Sequence, residues 1–455
     1  MYEIPLNSMY ICPMKRTILT LLSLLFAGCT GDSGTPASPA PETRILELSP
    51  PEFDLGPKAG VITVGVQTNV AYGVEIDVDW IRQEAGSPAE APRFIVQENP
   101  SRELRGTKIK FYDAADRSFE KTVRVRQEAN PDAVIEKGET VIVAYVTSWS
   151  SPVPDSRYMT HLNYAFGHVN GTFDGVRIDN EPHFRQMLAL KEQDPGLKVL
   201  LSVGGWGSGG FSEMASTQAR RKAFALSCKK MLDSYGADGI DIDWEYPGSG
   251  AAGISSSAAD KGNYTALMKA LREAIGEEKL LTLASSCDAG YIDFRAILPY
   301  VDFINIMAYD MASAPQHNAP LYRSRDGKKS AVAGWYTTDE AVKAHLNAGI
   351  PAKKLVMGMP FYGHGNGTYG SFVDYRDIKG PKAGDTEKWD EAGLVPYYAN
   401  SAGTLTLGFD NPRSIQAKCQ YILDNGLLGG MYWEYSCDNA SLDLTRAVAE
   451  TLFAQ

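Results

Sequence analysis

Between positions 238 and 247 the chain reads Asp-Gly-Ile-Asp-Ile-Asp-Trp-Glu-Tyr-Pro, which sets carboxyl groups at Asp241, Asp243 and Glu245. Successive side chains of an extended strand point to opposite faces, so these three acids share one side. Ile240, Ile242 and Trp244 share the other, where a layer of helices would cover them. Burial and mutual repulsion both disfavour charge, so at least one of the acids should hold a proton near neutral pH. A carboxylic acid kept protonated at the mouth of a cleft is what protonating the leaving oxygen of a glycosidic bond requires. A solvated acidic strand and a magnesium-binding cluster are the alternatives. A surface strand would not carry Ile, Ile and Trp on one face and only acids on the other.

Such a strand needs a scaffold. From about Val134 the chain alternates strand-like and helix-like segments, with strand candidates at 141–147, 161–167, 198–204, 239–245, 280–286, 303–309, 355–361 and 428–434. Amphipathic stretches at 216–235, 263–277, 338–348 and 411–425 lie between them. The last opens Asp410-Asn411-Pro412, a cap-type residue followed by proline, and closes Asn425-Gly426. Strand and helix in alternation imply a parallel sheet, and eight such strands imply an α/β fold of the (β/α)8 barrel type over 134–455. A doubly wound open sheet is less favoured, since no GxGxxG or P-loop follows the first strand. A barrel places its chemistry at the C-terminal ends of the strands.

At this point a resemblance becomes specific. Residues 238–247 look like the signature of glycoside hydrolase family 18, the family of many chitinases, and the similarity runs from about Val141 to Trp433. Ser202-Val203-Gly204-Gly205-Trp206 resembles the family's strand-three motif, and Met307-Ala308-Tyr309-Asp310 its strand-six motif. Trp433 matches the aromatic ending strand eight, while Ala144-Tyr145 and Asn163-Tyr164-Ala165-Phe166 fit strands one and two. The resemblance implies a retaining mechanism in which the substrate's own acetamido group attacks the anomeric carbon. It makes Glu245 the proton donor, sets Asp243 on the acetamido N–H and Tyr309 on the acetamido oxygen, and gives Asp310 a hold on the distorted sugar. Asp241 would share a proton with Asp243, with Tyr145 and Ser202 as its hydrogen-bond partners. Trp433 would floor the sugar before the cut, Phe166 and Met307 would line the same pocket, and Trp206 would wall the next sugar. For Phe166 and Met307 the plain alternative is core packing, and for Trp206 a loop aromatic. Gly204 and Gly205 would admit close backbone approach. No metal and no organic cofactor is implied.

The implied substrate is a β-1,4-linked N-acetylglucosamine polymer or oligosaccharide, as for a chitinase. An endo-β-N-acetylglucosaminidase cutting N-glycan cores is the alternative within the family, and a non-catalytic glycan-binding lectin the alternative outside enzymes. Two departures stand out. About 47 residues separate Gly363 from the helix near Asn411, too few for the α+β subdomain that many members insert there. His364 stands where many members carry Arg after Phe-Tyr-Gly. Both point to a shallower groove. Tyr397 and Tyr398 are candidates either for sugar stacking or for packing.

The front of the chain reads as an address. Lys15 and Arg16 precede a short apolar stretch, 18–27, and Ala27-Gly28 stand before Cys29. The run is shorter than the ~20 apolar residues of a permanent span, so 1–29 is read as a cleavable signal. It resembles a bacterial lipoprotein signal in which Cys29 is lipidated; an ordinary signal with a chance cysteine is the alternative. A complete signal starting at Met14 makes that residue the expected start. Residues 30–43, rich in Gly, Ser, Pro and Ala, form a tether.

Residues 44–131 carry β-prone runs at 61–66, 107–111 and 121–126, and an all-β sandwich is expected. Leu48-Ser49-Pro50, Thr68-Asn69, Asp79-Trp80-Ile81 and the closing Val123-Arg124-Val125-Arg126-Gln127 resemble the BACON domain family. That likeness implies glycan binding or spacing, with spacing favoured. The net charge of −11 argues against nucleic acid, whose binders need a basic face. No CxxC or Cys/His cluster predicts zinc, and Cys228, Cys287, Cys419 and Cys437 are expected as buried thiols. The expectation is an exported, monomeric lipoprotein of the bacterial cell envelope, held to the membrane by its lipid alone.

Overall fold

The structure, a computed structural model, describes residues 43–454 apart from 102, 131, 132, 134 and 135. Cys29, the signal and nearly all of the tether lie outside the described residues. The chain divides into two compact units, 1–131 and 132–455.

The first unit holds nine short strands in three sheets among its described residues. Its centre is the antiparallel pair Arg105–Asp113 and Glu120–Gln127, which alternate as half-buried strands should. Ile109 and Phe111 from one strand and Val123 and Val125 from the other reach full burial. The run expected as one strand at 61–66 is two: Gly60–Thr63 pairs with Arg93–Val96, and Gly65–Thr68 with Leu46–Ser49. Val64 lies between them with its side chain fully buried, so the chain changes sheets where the core claims that residue. Trp80 is buried beneath the Arg105 guanidinium, 4.2 Å from the ring centroid. Among the described residues of this unit no Trp, Tyr or Phe is exposed.

The second unit is a closed barrel of eight parallel strands. They are β1 (Val141–Thr147), β2 (His161–Val169), β3 (Lys198–Gly204), β4 (Gly239–Asp243), β5 (Leu280–Ser286), β6 (Phe303–Met307), β7 (Leu355–Pro360) and β8 (Gly429–Trp433). Each pairs with its neighbours in chain order, and β8 closes on β1 through Val141↔Gly429 to Ala144↔Tyr432. The outward side chains of β4 meet helices as expected: Ile240 and Ile242 are fully buried. Trp244 stacks on Phe211 at 5.3 Å and meets Tyr264 edge-on.

Several strands stop short of the limits expected from the sequence. β4 ends at Asp243 and not at 245, and β6 at Met307 and not at 309. The β3–β4 ladder closes at Gly204↔Asp243, after which the Gly205 N–H bonds back to the Asp243 carbonyl at 2.9 Å. After β6, Asp310 takes a positive φ of 57° and gives its N–H to Asn318 Oδ1 at 2.7 Å. Glu245, Tyr309 and Asp310 therefore sit just past strand ends, on the rim.

Two helices illustrate how the outer layer is fixed. Gln218–Tyr235 begins at Thr217, whose hydroxyl accepts the Arg220 N–H. Pro412–Asp424 has Asn411 and Ser414 capping one another reciprocally, with proline in the first turn. Behind that cap Lys418 is fully buried and reaches both carboxylate oxygens of Asp410 at 2.7 Å.

Between β7 and this helix, Tyr362–Gly365, Val373–Asp374, Thr386–Asp390, Val395–Ala399 and Leu405–Gly408 form one antiparallel sheet. No α-helix accompanies it. Tyr398 is buried with Tyr369 and Phe409 in the small core of this sheet, so it packs; Tyr397 meets His317 edge-on at 5.2 Å. Cys228, Cys287, Cys419 and Cys437 are free and buried.

Candidate active site

Asp241 lies fully buried beneath the rim. Its Oδ2 accepts from Tyr145 and Ser202 hydroxyls, both at 2.8 Å. Its Oδ1 accepts from Thr282 at 2.6 Å and from the Asn305 amide at 3.2 Å. Burial raises its pKa, and these four donors oppose that rise. Four donors fill the acceptor sites of one carboxylate.

Asp243 is buried, and burial first, then the charges of Glu245 and Asp241, hold its carboxyl well above the usual carboxylate range. Its Oδ1 is buried without a protein partner. Glu245 follows two residues on, just past the strand end. Burial raises its pKa to about 7, a hydrogen bond with Tyr246 opposes the rise, and the Asp310 charge adds to it. Burial, then the Asp243 and Asp310 charges, keep Tyr309 a neutral phenol. Asp310 is the exposed member, with its Oδ1 accepting from Tyr362 at 2.6 Å and 2.7 Å from His364 Nε2.

These groups open into a cavity of about 240 Å3 lined by Asp243, Glu245, Tyr309, Asp310 and apolar residues. Tyr145, Phe166, Trp206, Met307 and Trp433 all reach it, whereas Asp241 and Ser202 stay below. Trp433 ends β8, flanked by Phe166 stacked at 5.6 Å and by Tyr145 tilted at 5.6 Å. Trp206 is 63% exposed and touches Tyr246 edge-on. An acid whose pKa burial raises to about 7, a buried acceptor and a flat aromatic floor facing one cavity suit protonation of a leaving oxygen over a sugar ring.

The two glycines of the β3 turn explain the close fit. A Cβ on Gly204, at φ 133°, would lie 1.8 Å from the Asp243 carbonyl oxygen. One on Gly205, at φ 92°, would lie 2.5 Å from the Phe166 ring. Among the described residues no group of three His, Cys, Asp or Glu could hold a metal ion.

Comparison with known proteins agrees with this architecture. Residues 141–438 match the family described as Glycosyl hydrolases family 18. The chain is 38% identical over 299 residues to chitinase A1 of Niallia circulans, covering 56% of this chain and 43% of that protein. It is 34% identical over 346 residues to chitotriosidase-1 of Mus musculus, covering 66% and 73%. Among solved structures it superposes on a glycoside hydrolase family 18 N-acetylglucosaminidase of Paenibacillus barengoltzii with a TM-score of 0.61. That alignment has 32% identity and covers 69% of this chain and 100% of the other.

The chain belongs to glycosyl hydrolases family 18. Its second unit is a glycoside hydrolase barrel of the chitinase type, and the chain spans less than half the length of the first relative named.

Two features of this family 18 site escaped the sequence. Trp149, two residues beyond β1, is 68% exposed and lines the cavity. With Trp433 it also borders an adjoining cavity of about 430 Å3. A lone tryptophan following a barrel strand, on the rim that carries the acids, was the available signal. The other is a link from β2 to the loop after β3: His168 Nδ1 lies 2.7 Å from Ser208 Oγ and His168 Nε2 2.8 Å from Asp179. Nothing in the spacing of those three residues announces their contact.

Proposed function

We propose that the barrel hydrolyses β-1,4-linked N-acetylglucosamine polymers or oligosaccharides with retention, using the substrate's acetamido group as nucleophile. The observation that carries this reading is Glu245, its pKa raised by burial to about 7, facing the same cavity as a buried Asp243 oxygen that no protein group satisfies. Glu245 gives its proton to the glycosidic oxygen. The 2-acetamido carbonyl oxygen attacks the anomeric carbon, the C–O bond to the leaving sugar breaks, and an oxazolinium ion forms. Asp243 accepts the acetamido N–H at its unpartnered oxygen, and as the positive charge develops the proton it shares with Asp241 passes to Asp241, leaving the Asp243 carboxylate to balance that charge. The Tyr309 phenol, kept neutral, donates to the acetamido oxygen and orients it. Water, deprotonated by Glu245, then opens the ion with retention. Asp243 is a poor nucleophile itself, since it is buried and its carboxyl is held well above the usual carboxylate range. The chitinase names of relatives over the same barrel support the substrate class.

The decisive experiment is product analysis by mass and anomeric NMR on chitin oligosaccharides beside a high-mannose glycoprotein. Cleavage of the oligosaccharides with β-anomeric products supports the reading. Cleavage of the glycoprotein alone would establish the endo-β-N-acetylglucosaminidase alternative, and binding without cleavage the lectin.

For the rest of the chain we propose an exported, monomeric lipoprotein anchored through Cys29, with the first unit as a BACON-like spacer. The Ala27-Gly28-Cys29 sequence supports the anchor, and the absence of an exposed aromatic among the described residues of the unit supports spacing over glycan binding. Cys29→Ser should move the protein from the membrane fraction to the soluble one.

A further inference from the structure

We infer that His364, as its imidazolium, is a positioning residue that holds Asp310 for the sugar, giving substrate binding a protonation requirement separate from that of Glu245. The inference rests on the proposed roles of Glu245 and Asp310. His364 lies on the strand Tyr362–Gly365, with both ring nitrogens facing acceptors. Nδ1 meets the Ser371 carbonyl, and Nε2 lies 2.7 Å from Asp310 Oδ1. A carbonyl can only accept, and a neutral imidazole has a single N–H. With that N–H on Ser371, a neutral ring would turn its Nε2 lone pair onto an oxygen that already accepts the Tyr362 hydroxyl. A second ring proton removes the conflict, and both contacts become donations.

The surroundings agree. Burial opposes charge on the ring, but the Asp310 hydrogen bond, the Ser371 carbonyl and the Asp310 charge outweigh it and raise the His364 pKa above its ordinary value. Asp310 faces the ring from the loop after β6, and the Tyr362 phenol from its own strand. From the adjoining strand Val373–Asp374, Asp374 is paired with Arg376. The strand Leu405–Gly408 on the other side contributes no titratable side chain. Phe372 covers the ring edge at 6.1 Å. Asp310 is thus the charge that the ring answers.

An Arg at this position would grip Asp310 at every accessible pH. Histidine lets go as pH rises, and Asp310 then loses one of its two donors and its counter-charge. Binding should weaken on the alkaline side independently of the loss of the Glu245 proton.

The test is kcat/KM against pH on a soluble chitin oligosaccharide for wild type, H364R, H364Q and D310N, with thermal melts to confirm folding. Two required protonations in the free enzyme make the alkaline limb of log(kcat/KM) steepen past −1 toward −2. H364R, permanently charged, should return a limb of slope −1 with KM no longer rising with pH. H364Q should raise KM by about 10-fold near pH 6 with a smaller change in kcat, the size of one lost charge-assisted bond. A wild-type limb of slope −1, or an unaltered steep limb in H364R, overturns the inference. D310N separates the levels. If D310N leaves KM unchanged, Asp310 does not hold the sugar and the proposed function itself is wrong there. If D310N is impaired while H364R keeps the wild-type profile, only the part assigned to the histidine fails.

Discussion

Asp243 ends β4 and Glu245 follows two positions later on the rim, and their different surroundings set what each can do. Glu245, with its pKa raised to about 7, still holds its proton in a large share of molecules near neutral pH and can release it to a leaving group. Glu245→Gln should lower kcat on a chitin oligosaccharide ~10²–10⁴-fold, as removal of a general acid does. Asp243→Ala should also cripple turnover on substrates bearing the acetamido group. The same burial has a stability consequence with a definite sign. Glu245 binds its proton more tightly folded than unfolded, so its contribution is fully present below the unfolded value near 4.5 and is lost as pH rises through about 7. Glu245→Gln lacks that loss. Relative to wild type it should gain on the order of 1–3 kcal/mol between pH 5 and pH 8, read from urea melts at both pH values.

At the scale of elements, the strands and helices were largely legible, because buried parallel strands read as apolar runs and amphipathic helices as a 3.6-residue period. The eight barrel strands and the capped helix at Asn411 came directly from those patterns. Strand ends were not legible. They depend on where the backbone turns, at Gly204 and Asp310, and φ at those positions answers to contacts distant in sequence. The acids were readable for the same reason as the strands, since alternation alone puts Asp241, Asp243 and Glu245 on one face. Trp149 and His168 were not, because their partners come from other elements. Two substitutions probe this layer. Lys418→Met strands a buried Asp410 carboxylate and should cost about 3–5 kcal/mol in denaturant unfolding, as breaking one side of a buried ion pair does. Gly205→Ala pushes a methyl into the Phe166 ring and should raise KM, through a displaced Trp433 neighbour, more than it lowers kcat.

For the whole molecule, each unit has its own hydrophobic core. Residues 132–455 expressed alone should therefore melt cooperatively and keep their kcat on soluble oligosaccharides, while any loss confined to insoluble chitin would assign the first unit a part in reaching the polymer. Among the described residues no helix is long and apolar enough to cross a membrane. The four bonds that converge on Asp241 have a wider reach than its own charge. Their donors, Tyr145, Ser202, Thr282 and Asn305, stand on β1, β3, β5 and β6, so with β4 one carboxylate ties five of the eight staves together at their centre. The width of the cleft above is thereby set from underneath. Loosening that knot should blur the enzyme's discrimination among sugars while leaving every group that touches them in place.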